Sequence, residues 1–315
     1  MRDRVILLSA IVLVFAGSAA AKRLVADRGV PLRSDDRPSE RIVSLAPSVT
    51  ETLFALGLGD RVVGVSRFCR YPPQAAELPD IGGYMDPSFE AIVDLRPDLI
   101  VMLEEHEQSM PAFEKLGLRT LTVRHKDVDG ILASLPVIGR ACGAEAKAAE
   151  LVADIRRRLE RVRQKTAGLP RPRVMVAVNR ALGSGQLDDV YVTAGEGHLG
   201  RIVELSGGQN ACPPSAAHFP TVSSEGILHL NPDIVIDVVD EQSAARLGIE
   251  SIRADWQQVA DVEAVRRDRV YVLSDNHATI PGPDFVSLVE RLARLIHPDA
   301  FNPSDAFNPS EALDP

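Results

Sequence analysis

Aromatic side chains are scarce in this 315-residue chain: they make up 4% of it, and there is one Trp. A pocket built here for a large flat ligand has few rings to stack with, so each aromatic in a loop is worth examining. Cysteine is limited to three residues, Cys69, Cys142 and Cys212. An odd count excludes a fully paired disulfide framework, although Cys142 and Cys212 could pair in an oxidising compartment. Positive charge is in deficit, with 35 Lys and Arg against 44 Asp and Glu and a formal net charge of −9. That balance argues against nucleic acid, which rewards clustered cations. No G-x-S-x-G, H-E-x-x-H or Walker motif occurs, which removes the commonest sequence signs of a hydrolase, zinc peptidase or P-loop NTPase. The apolar run Val5–Ala16 falls short of the about 20 residues that span a bilayer.

That run nevertheless sits in a telling place. Arg2 and Arg4 precede it, and small residues lead from it to Ala19-Ala20-Ala21. The order basic, apolar, small is that of a cleavable export signal, which predicts a signal peptide over 1–21, a mature chain from Lys22 and a periplasmic location. No Cys lies near the cut to carry a lipid. What remains is long enough for two lobes of ordinary domain size. Residues 22–40, polar and Pro-containing, read as a linker. At the far end Asp-Ala-Phe-Asn-Pro-Ser occurs at 299–304 and again at 305–310. Two copies cannot build a solenoid, and their composition predicts a disordered tail over 298–315.

Between these ends short apolar segments alternate with helical ones. Ile42–Leu45, Val62–Val65, Leu99–Leu103 and Thr120–Val123 read as strands, the third being a continuous apolar run of the buried parallel kind. Ser48 and Glu51 fit a capping box opening a helix over Thr50–Leu56, which Gly57 ends. Asp86-Pro87 suits the N-cap and first position of a helix over Phe89–Leu95. A further helix falls near Ala112–Leu116. This alternation predicts an α/β fold with parallel sheets covered on both faces. After Gly143 no Gly or Pro occurs up to Lys165, and Ala148, Leu151, Val152, Ile155, Leu159 and Val162 recur at helical spacing. These residues predict one long helix, roughly 30 Å or more at 1.5 Å per residue, followed by a strand at Val174–Val178. The organisation read from the sequence is an N-terminal lobe over 41–140, a connecting helix over 141–168 and a C-terminal lobe over 169–297.

A repeat supports two similar lobes. Glu90-Ala91-Ile92-Val93-Asp94-Leu95-Arg96-Pro97-Asp98 returns as Glu225-Gly226-Ile227-Leu228-His229-Leu230-Asn231-Pro232-Asp233, and three aliphatic residues follow each copy. Both copies read as a short helix, a Pro-Asp turn and a buried strand. With this repeat, the stretches Arg41–Glu51, Tyr71-Pro72-Pro73-Gln74 and Gly207-Gly208-Gln209-Asn210 make the chain resemble the cobalamin and iron-chelate binding proteins of ABC importers. The similarity runs over roughly residues 41–297. It implies two Rossmann-like lobes with parallel sheets joined by one long backbone helix, with a metal chelate held in the cleft between them. It also implies a monomer that docks on an ABC importer permease dimer and carries no cofactor of its own. Cobalamin leads as ligand, with a ferric siderophore or haem behind it, and a chelate-processing enzyme on the same fold is the rival class.

The resemblance places Tyr71, Tyr84 and Phe219 at aromatic pocket positions, and large flat rings suit a corrin or porphyrin face. Where cobalamin-binding relatives can carry another aromatic, this chain has Glu104-Glu105-His106-Glu107. Glu105 could meet cationic groups of a chelate, and His106 could reach a metal. His277 sits in a second-lobe loop that often reaches the cleft, and Cys69 lies near Tyr71. Glu90 and Glu225, which open the two repeats, are implied to meet arginines of the permease. Gly195-Glu196-Gly197-His198-Leu199-Gly200 formally fits G-x-G-x-x-G, but no acidic ribose ligand follows at the required spacing. Its glycines read as a turn leading into a helix.

Overall fold

The structure is a computed structural model that describes residues 38–301 apart from 196, 216, 218 and 277. The expected signal peptide over 1–21, nearly all of the linker, His277 and the tail beyond Phe301 lie outside the described residues. The first lobe is built on β1 (Ile42–Ser44), β2 (Val62–Val65), β3 (Leu99–Leu103) and β4 (Thr120–Val123). They form one sheet in the order β2-β1-β3-β4 with every pairing parallel. Helices α1 (Pro47–Ala55), α2 (Phe89–Asp94), α3 (Met110–Lys115) and α4 (Val128–Cys142) accompany it. All residues of β1 and β3 are buried, as expected for central strands covered on both faces.

Two local readings of this lobe change. Helix α1 starts at Pro47 behind the N-cap Ala46, which makes no side-chain cap. Ser48 and Glu51 therefore form no capping box; both are buried and reach other parts of the molecule. The N-cap of α2 is Ser88, whose Oγ accepts from Ala91 N at 3.3 Å, while Pro87 is spent in a bridge to Gly82.

The 22-residue helix α5 (Glu145–Thr166) is the connector, about 33 Å long at 1.5 Å per residue. Helix α4 precedes it, capped by Asp127 and ended by Gly143 at φ 67°, a conformation that favours glycine. The two helices pack closely enough that a Cβ at Gly139 would lie 2.7 Å from the Ala148 Cβ.

The second lobe holds β5 (Arg173–Asn179), β6 (Val190–Val192), β7 (Gln209–Asn210), β8 (Thr221–Val222), β9 (Ile234–Val239) and β10 (Val270–Ser274). Around them lie α6 (His198–Leu205), α7 (Ser224–Leu230), α8 (Glu241–Leu247), α9 (Ile249–Ala254), α10 (Glu263–Arg266) and α11 (Phe285–Ile296). The sheet runs β10-β9-β5-β6-β8, with β7 beside β5. It is mixed rather than parallel, because β6 is antiparallel to both neighbours. The chain turns straight back from β5 to β6 instead of crossing over through a helix. Gly183 and Gly185, both at φ 68°, allow that turn, and the Asp255 carboxylate accepts from both of their N–H groups.

The repeat is one piece of machinery used twice. Ser223 Oγ caps α7 by accepting from Gly226 N at 3.3 Å, as Ser88 caps α2. Arg96 and Asn231 end the two helices at φ 47° and 40°. Asp98 Oδ2 then accepts from Arg41 N at 3.2 Å, and Asp233 Oδ2 from Arg173 N at 2.7 Å.

The lobes share a core. Val128, Ile131 and Leu135 of α4 join Ile155 and Val162 of α5, Val174 and Ile236 of the second sheet and much of α11 in one buried cluster. The three cysteines are free and buried. Cys142 packs in the first lobe and Cys212 in the second, so they do not pair. The tail expected from residue 298 begins ordered: Pro298–Ala300 is a helical turn, and Lys165 Nζ lies 4.7 Å from the Phe301 ring centre.

Candidate ligand cleft

Because the four strands of the first sheet run one way, the loops after their carboxyl ends gather on one edge. Open α/β sheets hold ligands there. Tyr71, Tyr84, Glu105 and His106 all fall in those loops; Arg67 N donating to Gly82 O at 3.0 Å braces the loop after β2 internally. Tyr84 is half-buried, and its ring meets His106 edge-on at 4.7 Å. His106 is 1% exposed. Its Nδ1 accepts from Leu103 N at 3.1 Å, which leaves Nε2 to donate to Tyr84 O at 2.9 Å. Both ring nitrogens are thus engaged inside the protein, and burial holds the imidazole pKa down. In this arrangement His106 fastens Tyr84 and has no lone pair free for a metal. Burial, with Glu105 adding its charge, pushes the Tyr84 hydroxyl up to about 12, so it stays a neutral ring with a proton to donate. Glu105 is exposed beside it. Phe68 and Met85, 55% and 48% exposed, widen the same edge with apolar surface.

Tyr71 belongs to a different cluster, at the junction of the lobes. It lines a groove of about 570 Å³ together with Glu51, Pro283, Asp284 and, from α5, Arg158. Glu51 Oε1 accepts from Asp284 N at 2.7 Å across the two lobes. A Cβ at Gly282 would land on that carboxyl, so the glycine makes room for it. Glu51 is 5% exposed, and burial drives its pKa up to about 8. Burial and the negative charges of Asp284, Glu51 and Asp275 push Tyr71 up to about 12. Arg158 holds the junction from the connector, donating to Glu290 Oε2 at 2.7 Å and Ser287 Oγ at 2.9 Å.

Ser48, freed from capping, donates to His125 Nδ1 at 2.9 Å; His125 Nε2 in turn donates to Ser134 Oγ at 2.8 Å, and Ser134 donates to Ile131 O at 2.7 Å. The order of donors follows because the Ser134 proton is already committed. This is a closed structural chain, for Ser48, His125 and Ser134 are each at most 3% exposed and burial pushes His125 down to about 4. Cys69, hydrogen-bonded to Ser66, is likewise buried with a raised pKa, which makes it a poor nucleophile.

On the second lobe Phe219 is 45% exposed just before β8, anchored by Val192 N donating to Pro220 O at 3.0 Å. No ring contact joins it to either tyrosine among the described residues. His277 lies outside the described residues; near it in the chain, Ala278 N donates to Asp275 Oδ1 at 3.2 Å. Arg180 is spent inside the lobe on Asp237 and Asp255, at 2.7 Å and 2.6 Å. Gly197 is the N-cap of α6, so the glycine-rich stretch serves as a turn into that helix. The structure sets Tyr84, Glu105 and His106 side by side; Phe68, His125 and Asp284 were not singled out by the sequence, and Glu51 was read there as a helix cap. The position of His125 two residues after the end of β4 was a usable signal.

Residues 42–276 match the family model described as periplasmic binding protein. The chain belongs to that family. A Bacillus subtilis ABC transporter substrate-binding lipoprotein, YvrC, is 30% identical over 83% of this chain and 81% of its own length. The vitamin B12-binding protein of Vibrio cholerae is 28% identical over 81% of this chain and 88% of its own. The solved structure of the Vibrio cholerae vitamin B12-binding protein BtuF superposes with a TM-score of 0.70 at 27% identity, covering 84% of this chain and 98% of that one. The family resemblance, the two lobes and the backbone helix read from the sequence hold, and the family's members carry ligands for ABC importers.

Proposed function

We propose that this periplasmic binding protein captures cobalamin or a related corrinoid between its lobes and passes it unchanged to an importer's permease dimer. The observation that carries the reading is a firmly mounted ring at the loop edge of the first lobe. Tyr84 is locked by a buried His106, the same loop exposes Phe68 and Met85, and Phe219 is exposed on the second lobe. Such surfaces suit a flat macrocycle. Tyr71, Glu105 and His277 are the remaining candidates for contact. The similarity to vitamin B12-binding proteins supports the corrinoid. Titration of the purified protein with cyanocobalamin, haem and a ferric siderophore, followed by visible absorption, tests it. Saturable binding of cyanocobalamin is expected. Binding of haem or the siderophore alone would overturn the corrinoid and leave the importer role standing. The released ligand should keep its mass, and a changed mass would establish the chelate-processing enzyme. The protein is proposed to act as a monomer in the periplasm, beginning at Lys22.

Docking is assigned to Glu90 and Glu225. Both are exposed in the first turns of α2 and α7, and neither is in an ion pair among the described residues. Separated charges of one sign fix orientation and speed encounter more than they add affinity. With Glu90→Arg and Glu225→Arg combined, ligand affinity should persist while transport collapses. Normal uptake by cells carrying the double variant would remove the assignment.

A further inference from the structure

The repeat matches in more than its glutamates. One helical turn beyond Glu90 stands Val93, 41% exposed, and one turn beyond Glu225 stands Leu228, 42% exposed. They occupy the same position of the two copies, next to the buried anchors Ile92 and Ile227. Single exposed apolar residues are ordinary. A matched pair in two copies of one element, each an i+3 neighbour of an exposed carboxylate, is not explained that way. Residues at i and i+3 share a helix face. Each helix therefore shows solvent the same stripe: a carboxylate, then an aliphatic side chain three residues on, about 4.5 Å further along the axis. The next exposed position differs, Asp94 on one helix and His229 on the other. What the two lobes have in common is thus limited to the acid and the aliphatic residue.

We infer that Val93 and Leu228 are the apolar anchors of the docking surface. The partner they fit is a two-fold membrane permease dimer that offers, once per subunit, a cationic side chain and an apolar socket one helical turn apart. This rests on the docking reading above and deepens it. A repeated stripe on a single chain matches a partner that repeats its own surface, and the carboxylates demand a cation there. The division of labour follows from the physics. Exposed charges govern encounter and its salt dependence, whereas desolvated apolar contacts govern how long a complex lasts. Glu90 and Glu225 bring the binding protein to the permease in register, and Val93 and Leu228 hold it.

The test places photoreactive benzoylphenylalanine at position 93 or 228 of the full chain in its own cells, with Val137 on α4, 38% exposed, as control. Positions 93 and 228 should both form adducts with one polytopic membrane protein, and position 137 with none. Adducts with two different proteins, or none at both positions, overturn the inference. Binding kinetics are then measured against that membrane protein in nanodiscs. The pair Val93→Ser with Leu228→Ser should raise the dissociation rate about tenfold, with the association rate and its salt dependence nearly unchanged. An unchanged dissociation rate overturns the anchors. If Glu90→Arg with Glu225→Arg still abolishes association, the docking reading survives that failure; if it does not, both fall. Both sites are exposed, so a thermal melt equal to that of the parent should confirm that the serine variants fold.

Discussion

Glu51 shows what a single residue can hide. Its spacing from Ser48 suits a capping box, but the structure sends one side chain to His125 and the other to Asp284 N. Sequence pattern registers local hydrogen-bond options; it cannot register a partner 233 positions away. The consequence is measurable. The folded protein holds the Glu51 proton up to about pH 8, against 4.5 for the free group. The native state therefore binds more protons than the unfolded state in that window, and stability falls as pH rises through it. Asp284, also raised by burial, slopes the same way. Glu51→Gln keeps an acceptor for Asp284 N and removes the ionisable group. It should leave stability near pH 4.5 unchanged and raise it by a few kcal/mol near pH 8, at about 1.4 kcal/mol per pKa unit. Denaturant melts of both proteins across that range check this, and parallel pH profiles would refute it. A second residue-scale expectation concerns the rings. Tyr84→Ala or Phe219→Ala should weaken chelate binding by roughly 1–3 kcal/mol, the scale of a lost aromatic contact. Calorimetry that finds full affinity in both variants would dismiss the aromatic pocket. Tyr84 was legible because it is a rare ring in a loop; its clasp by His106 was not, because that needs two loops brought together.

At the scale of elements, the strands of the first sheet were the most legible part. Val62–Val65, Leu99–Leu103 and Thr120–Val123 stand where the apolar runs put them. Helix α4 went unread. Its 15 residues include Gly130, Pro136 and Gly139, which lower helix propensity. Packing overrides those signals. Gly130 donates to the Asp127 cap, and Gly139 lets α5 approach. The sequence marks these residues as breakers, while the fold uses them for close contact. Gly139→Ala separates the two descriptions. On propensity alone it should stabilise the helix, since Ala is favoured over Gly by about 1 kcal/mol. Crowding against Ala148 at 2.7 Å should outweigh that gain and destabilise the protein by about 1–3 kcal/mol. A variant that melts higher than its parent would show that the helices can part without cost.

Across the whole molecule the two lobes are tied by shared structure. Helix α4 belongs to the first lobe by chain order, yet it buries Val128, Ile131 and Leu135 in the second lobe's core. The connector adds Arg158 clasping Glu290 and Ser287, and Glu51 closes the junction from the other side. The two-lobed plan was legible because the repeat declares it. The tie between the lobes was not, because it rests on an unread helix and a misread glutamate. A stiff helix in a continuous core resists the wide hinge motion that flexible strand linkers permit. The distance between lobes should accordingly be narrowly distributed before any ligand is added. Leu116 and Ile249, 47% and 38% exposed on opposite lobes, are suitable sites for introduced cysteines. The native Cys69, Cys142 and Cys212 are buried with thiol pKa values pushed up, so they should stay unlabelled in the folded protein. Spin labels at Leu116→Cys and Ile249→Cys should give a single narrow distance distribution by pulsed electron resonance, shifting little on saturation with ligand. Adding Arg158→Met with Glu51→Ala should broaden it, since both side chains that close the junction are then gone. A broad or two-peaked distribution in the unmodified background would mean that the shared core does not hold the lobes, and that capture proceeds by hinge closure.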